Sequence, residues 1–126
     1  MKKLIFIVDD SRTIRTSLQY MLERGGYEVV AAENGLEAIQ QLEKLTEATR
    51  LPSMIIADIN MPLMDGIVLI KNIREQAVFN AIPILALTTE HREQKKLAGK
   101  AAGASGWLMK PVKAEQLIAV VEKFVK

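Results

Sequence analysis

Five short apolar runs recur along the chain, each followed by a segment whose apolar residues repeat at helical spacing. The runs are Lys3 to Val8, Tyr27 to Ala32, Ser53 to Asp58, Ile82 to Thr88 and Trp107 to Met109. Met54-Ile55-Ile56-Ala57 shows no polar alternation, so a strand there must be covered on both faces, as in parallel sheets flanked by helices. Between the runs, Ile14, Leu18, Met21 and Leu22 line one side of a first helix, with Ser11 or Asp10 as N-cap and Gly25-Gly26 as its stop. Asn34-Gly35 opens a second helix carrying Ala38, Leu42 and Leu45, and Asp65-Gly66 a third carrying Ile67, Ile70 and Ile73. Residues 91 to 102 predict a fourth, rich in Lys and Ala and weakly apolar apart from Leu97 and the alanines. Ala114, Leu117, Val121 and Phe124 mark the buried side of a fifth.

Alternating strands and helices imply a parallel sheet with right-handed crossovers and helices on both faces. The fold class is α/β, a doubly wound five-stranded sheet, and the expectation is a single domain over residues 1–126 with no separate output domain. A chain of 126 residues buries about two thirds of its unfolded surface, so it needs no covalent staple.

Composition narrows the setting. Cysteine is absent, which removes disulfides and thiolate sites and fits a reducing cytoplasm. The apolar run after Met1-Lys2-Lys3 ends quickly in Asp9-Asp10, unlike a secretory leader, and no stretch approaches the ~20 apolar residues of a membrane span. Lys and Arg number 17 against 15 Asp and Glu, a net charge of +2, which does not point to nucleic acid. The expected protein is cytoplasmic and monomeric, with neither membrane nor nucleic acid as partner.

The ends of the runs carry the chemistry. In a parallel sheet all strands point the same way, so Asp9-Asp10, Asp58, Thr88 and Lys110 gather at one edge, where open α/β sheets bind ligands. Singly each has a plain reading: Asp10 and Ser11 as helix caps, Asp58 as a turn former, Thr88 as a strand end, Lys110 as a solvated charge. Together, three crowded carboxylates repel and raise one another's pKa unless a cation joins them. Oxygen ligands without His or Cys select a hard ion such as Mg²⁺. Three carboxylates, a hydroxyl and an ammonium make a phosphoryl-transfer site, with Asp58 as nucleophile and Lys110 and Thr88 contacting the migrating group.

These residues, with Asn60-Met61-Pro62, Asp65-Gly66, Gly103-Ala104 and Lys110-Pro111, resemble the receiver domains of two-component response regulators over essentially the whole chain. The resemblance implies a flavodoxin-like sheet of strand order 2-1-3-4-5 and phosphorylation of Asp58 from a phosphohistidine on a sensor histidine kinase. It implies that Asp10, Asp58 and the backbone carbonyl of Asn60 ligate Mg²⁺, with Asp9 acting through the water shell of the metal. It also implies a cis Lys110–Pro111 peptide and Trp107 as the aromatic relay that moves with Thr88.

Output is expected on the face of the fourth helix, fifth strand and fifth helix. His91, Arg92, Lys95, Lys96 and Lys100 are basic there, as are Lys110, Lys113, Lys123 and Lys126, so the face either is simply solvated or receives an acidic partner. Asn60, Glu90 and the segment Gly103 to Trp107 look like chemotaxis regulators, which implies an output protein such as the flagellar motor switch, and a phosphatase as a further partner. A stand-alone phosphorelay or stress-signalling receiver has the same parts. An aspartate-based phosphatase would carry a D-x-D arrangement after the first strand, and a flavin module a hydroxyl- and glycine-rich loop where Asp9-Asp10-Ser11-Arg12 stands. Two positions depart from the common pattern of the family: Thr89, where a small residue is usual, and Val112, where Phe is.

Overall fold

A computed structural model describes residues 2–89 and 93–125, the side chains of residues 93–95 excepted. In chain order the elements are β1 (Leu4–Val8), α1 (Arg12–Arg24), β2 (Glu28–Ala32), α2 (Gly35–Glu47), β3 (Met54–Asp58), α3 (Gly66–Arg74), β4 (Ile84–Thr88), α4 (Glu93–Ala102), β5 (Gly106–Met109) and α5 (Ala114–Phe124). A single 3₁₀ turn, Ala77–Phe79, precedes β4 and has no counterpart in the apolar periodicity. Every strand pairing is parallel and the order is β2-β1-β3-β4-β5, the order implied by the resemblance, so β3 is the central strand.

The lack of alternation in β1, β3 and β4 has its expected cause: every residue of these strands is buried. Successive side chains enter opposite layers. Phe6, Val8, Ile55, Ala57, Ile84 and Ala86 meet Ala38, Leu42, Leu69, Ile70, Ile73 and Ala102 from α2, α3 and α4. Ile5, Ile7, Met54, Ile56, Leu85 and Leu87 meet Leu18, Leu22, Leu117 and Val121 from α1 and α5.

The helix starts are set by side-chain caps. Ser11 rather than Asp10 caps α1, its hydroxyl accepting from Ile14 N–H at 3.3 Å. Asn34 caps α2 through Glu37 N–H at 2.8 Å, and Asp65 caps α3 through Ile67 N–H at 2.7 Å. β4 begins at Ile84 rather than Ile82, because Pro83 has no N–H to donate; its carbonyl still accepts from Ile55 N–H at 3.0 Å. One expected core position is not core: Ala114 at the start of α5 is exposed. In α4, Ala102 meets the layer while Leu97 is 63 % exposed.

Candidate active site

Each strand end delivers its residue to the same edge for a local reason. Asp9 follows β1, where its N–H donates to Ala32 O at 3.2 Å. Its Oδ1 accepts from Ser11 N–H at 2.9 Å, and its carbonyl accepts from Arg15 Nη1 at 2.7 Å. These contacts hold a fully buried carboxylate between β1 and α1. Asp58 ends β3 and is 2 % exposed. Its Oδ1 accepts from Asn60 N–H at 3.3 Å, and Gly66 N–H donates to Ile59 O at 2.9 Å, closing the β3–α3 loop over it. A Cβ on Gly66 would collide with the carbonyl oxygen of Asp58, so the Asp65-Gly66 pair combines a cap with a position that has no room for a side chain.

Thr88 ends β4 fully buried, and Asn60 Nδ2 reaches its Oγ1 at 3.4 Å. Lys110 N–H donates to Thr88 O at 2.8 Å, which places the lysine at the edge. Its Nζ lies 2.9 Å from Asp9 Oδ2 and 3.0 Å from Asp58 Oδ1, with the side chain 12 % exposed. Lys110–Pro111 is cis, as the resemblance implies. Asp10 is exposed at the rim.

Electrostatics follow from this packing. Burial pushes the Asp58 carboxyl up to about 6, with the neighbouring Asp9 carboxylate adding to the rise and Lys110 working against it. For Lys110, burial disfavours the ammonium, but its bonds to Asp9 and Asp58 outweigh that and hold its pKa above the ordinary lysine value.

One carboxylate oxygen each from Asp9, Asp10 and Asp58 lie within 4.8 Å of one another. Asp9 Oδ2 is buried with no hydrogen bond of good geometry, only the ionic contact to Lys110. A cluster of hard oxygen donors with lone pairs to spare fits a divalent cation of the Mg²⁺ class.

The structure thus brings together Asp9, Asp10, Asp58, Asn60, Thr88 and Lys110. Trp107 pairs with Ala86 on β4 and packs in the layer that faces α2, α3 and α4. Glu90, His91 and Arg92 lie outside the described residues, as does the side chain of Lys95. Lys110, counted above among the basic residues of the output face, instead spends its charge on Asp9 and Asp58. The two unusual positions, Thr89 and Val112, share one cleft of about 400 Å³ beside Lys110, lined also by Ile14, Leu18 and Met21 of α1.

Three contributors carry no sequence signal of their own. Arg15 reads as an ordinary surface cation, yet it anchors the Asp9 backbone. Met64 packs where a Cβ on Gly35 would stand, its Sδ 2.8 Å from that point, which docks the β3–α3 loop on the start of α2. Leu63, 79 % exposed, has a φ of 69° in a turn where Met64 N–H donates to Pro62 O at 2.7 Å, a strained backbone beside the site.

Comparison with known proteins agrees with this geometry. Residues 5–122 match the family model described as the response regulator receiver domain. The chain is 37 % identical over 126 residues to the alkaline phosphatase synthesis transcriptional regulatory protein PhoP of Bacillus subtilis, of which it spans 50 %. It is 37 % identical over 119 residues to Protein PilH of Pseudomonas aeruginosa, covering 93 % of each chain. Among solved structures, the chemotaxis protein CheY4 of Vibrio cholerae superposes with a TM-score of 0.88 at 41 % identity, over 98 % of this chain and 99 % of that one.

Proposed function

Because the chain belongs to the response regulator receiver domain family, we propose that it is a phosphoacceptor switch in which Asp58 takes a phosphoryl group from a phosphohistidine of a sensor histidine kinase. One observation carries this reading: the nearly buried Asp58 carboxylate has Lys110 Nζ at 3.0 Å and the oxygens of Asp9 and Asp10 within 4.8 Å. In the transfer, an Asp58 oxygen attacks phosphorus as the P–N bond breaks; the imidazole, protonated at its other ring nitrogen, keeps the P–N electron pair and leaves as neutral histidine, and an aspartyl phosphate is formed. Asp10, Asp58 and the Asn60 carbonyl would hold Mg²⁺, with Asp9 acting through its waters, and the ion when bound neutralises charge on the phosphoryl oxygens. In this reading Lys110 leaves its carboxylates for a phosphoryl oxygen, and Thr88 donates its hydroxyl to another.

Trp107 then carries the movement of Thr88 to the face formed by α4, β5 and α5, where affinity for an output protein changes. Glu90 and Lys95 are assigned to the output role in this reading. Two like charges added at the sheet edge supply the differential interaction such a switch requires. A cleft beside Lys110, between α1 and the β5–α5 connection, borders the site and is a candidate place for a phosphodonor to dock in this reading. Chemotaxis is the pathway we favour, with the flagellar motor switch as output and a phosphatase as the reset, supported by the likeness to CheY4 along nearly its full length. The likeness to PhoP, a transcriptional regulatory protein by name, supports a second reading as a phosphorelay or stress-signalling receiver. In both readings the receiver domain works in the cytoplasm as a monomer. Among the described residues, no helix is long and apolar enough to cross a membrane.

The test is intact-mass measurement after incubation with acetyl phosphate and Mg²⁺. The wild-type chain is expected to gain an acid-stable, base-labile phosphoryl group and Asp58→Asn none; equal labelling of the variant would remove Asp58 from the reaction.

A further inference from the structure

Gly99 falls in the middle of α4, where glycine weakens a helix relative to alanine. The reason lies on β5. A Cβ on Gly99 would stand 2.7 Å from Cζ3 and 3.3 Å from Cε3 of Trp107, so the six-membered ring of the indole rests directly on the helix backbone. Trp107 is paired with Ala86 across β4 and β5, and both face the layer under α4. Thr88 lies two residues beyond Ala86, so strand alternation directs it to the same layer. The threonine at the phosphoryl edge and the indole are therefore diagonal neighbours across two strands, with only an alanine between them.

A second observation makes this seat conditional. Trp107 Nε1 is buried and has no hydrogen-bond partner among the described residues. Burying an unpaired indole N–H is unfavourable, so the ring keeps this position through shape fit against Gly99 and Ala86, at the expense of a polar group that another position could satisfy. Opposed terms of this kind are what an element with two arrangements needs.

We propose that Gly99 is a positioning residue for Trp107: the missing side chain at 99 is the seat that makes the packed position of the indole available, and thereby sets the resting balance of the switch. The proposal rests on the reading of Trp107 as the relay. A methyl group at 99 removes the seat without touching Asp58, Lys110 or the acidic cluster.

Trp107 is the only tryptophan of the chain, so its fluorescence reports on this ring alone. In Gly99→Ala without any activator, the emission should move to the red and acrylamide quenching should rise, because the displaced ring meets water. Beryllofluoride with Mg²⁺, a phosphoryl mimic, should change the wild-type spectrum and change that of Gly99→Ala much less, while acetyl phosphate still labels Asp58 in both. A resting spectrum and quenching identical to wild type overturn the proposal. A wild-type spectrum indifferent to beryllofluoride, despite labelling of Asp58, overturns the relay reading instead and with it the claim that Gly99 sets the balance; the resting spectrum of Gly99→Ala tells the two failures apart. Thermal unfolding in a Trp107→Leu background guards against a trivial defect. There Gly99→Ala should raise the melting temperature, as helix propensity predicts, and a loss equal to that in the wild-type background would overturn the steric pairing.

Discussion

Lys110 Nζ stands 3.0 Å from Asp58 Oδ1 although the whole of β4 separates the strands that end at the two residues. The same ammonium is 2.9 Å from Asp9 Oδ2 on the far side of β3. One cation thus bridges carboxylates from two strands, and its long stem crosses the end of β4 to do so. Asp10 adds a third carboxylate at the rim, so the cluster remains short of positive charge. The ammonium stabilises the buried carboxylates and also competes with any metal for them.

Removing that cation should therefore act in two directions. Lys110→Ala leaves buried carboxylates uncompensated, and stability in EDTA at neutral pH should fall by about 3 kcal/mol, measured by urea unfolding. The same variant should bind Mg²⁺ more tightly, by about tenfold, because one repelling charge is gone. Equal Mg²⁺ affinity in wild type and variant would show that lysine and metal do not compete.

The Asp58 carboxyl gives a pH dependence whose sign follows from its raised value. The unfolded chain releases this proton near the ordinary 3.8, whereas the folded chain keeps it until about 6. The contribution of Asp58 to stability is fully present below the unfolded value and is lost as pH climbs between the two. Two pKa units correspond to about 3 kcal/mol, reduced to roughly 1–2 kcal/mol by water at the open edge. In EDTA, the stability of wild type relative to Asp58→Asn should fall by that amount across this window. Saturating Mg²⁺ should flatten the curve, and a flat curve in EDTA would show that ionising Asp58 costs the fold nothing.

The acidic edge was legible because a parallel sheet turns sequence into position. Once the apolar runs ending at Val8, Asp58 and Thr88 are taken as parallel strands, their following residues must meet, and Asp9, Asp58, Thr88 and Lys110 do. Residues whose roles depend on contacts between distant elements were not legible. Gly99 shows only as a weak point in a helical pattern, since its partner lies on β5. Nor does the weak apolar pattern of α4 tell Leu97 from the alanines: the helix packs through Ala102 and leaves Leu97 exposed. Arg74 looks like an ordinary cation suited to a helix C-terminus, and nothing near it in sequence marks its real contacts.

Those contacts make Arg74 a clasp. Its Nε donates to Gly103 O at 2.9 Å, and its Nη1 donates to Phe79 O at 2.7 Å and Ile82 O at 2.8 Å, tying α3 to the approach to β4 and to the end of α4. Gly103 has a φ of 114°, and a Cβ there would stand 2.6 Å from Arg74 Cγ, so backbone and packing both exclude a side chain. Burial lowers the pKa of the guanidinium, whose charge is solvated by carbonyl groups instead of water. Arg74→Ala should cost about 2–4 kcal/mol in urea unfolding, and Arg74→Lys should recover only part, because an ammonium cannot match the fork. Asp58 labelling should persist in both variants below their unfolding temperature. Full recovery with lysine would reduce the clasp to a simple charge.

Thr88 separates accepting phosphate from transmitting it. Its side chain is fully buried, lies on the layer shared with Trp107 and meets Asn60 Nδ2 at 3.4 Å, near the limit of a hydrogen bond. So long a contact is easily exchanged for a shorter bond to a phosphoryl oxygen. Thr88→Ala removes the hydroxyl and one methyl, a stability change of about 1–2 kcal/mol at most, and leaves Asp58, Lys110 and the acidic cluster in place. Acetyl phosphate should still label Asp58, while the beryllofluoride-dependent change in Trp107 fluorescence should vanish and partner affinity should cease to depend on phosphorylation. Thr88→Ser keeps the hydroxyl and should keep the coupling. If Thr88→Ala retains a phosphorylation-dependent partner affinity, the signal leaves Asp58 by another route, and the neighbouring positions of Thr88 and Trp107 serve packing alone.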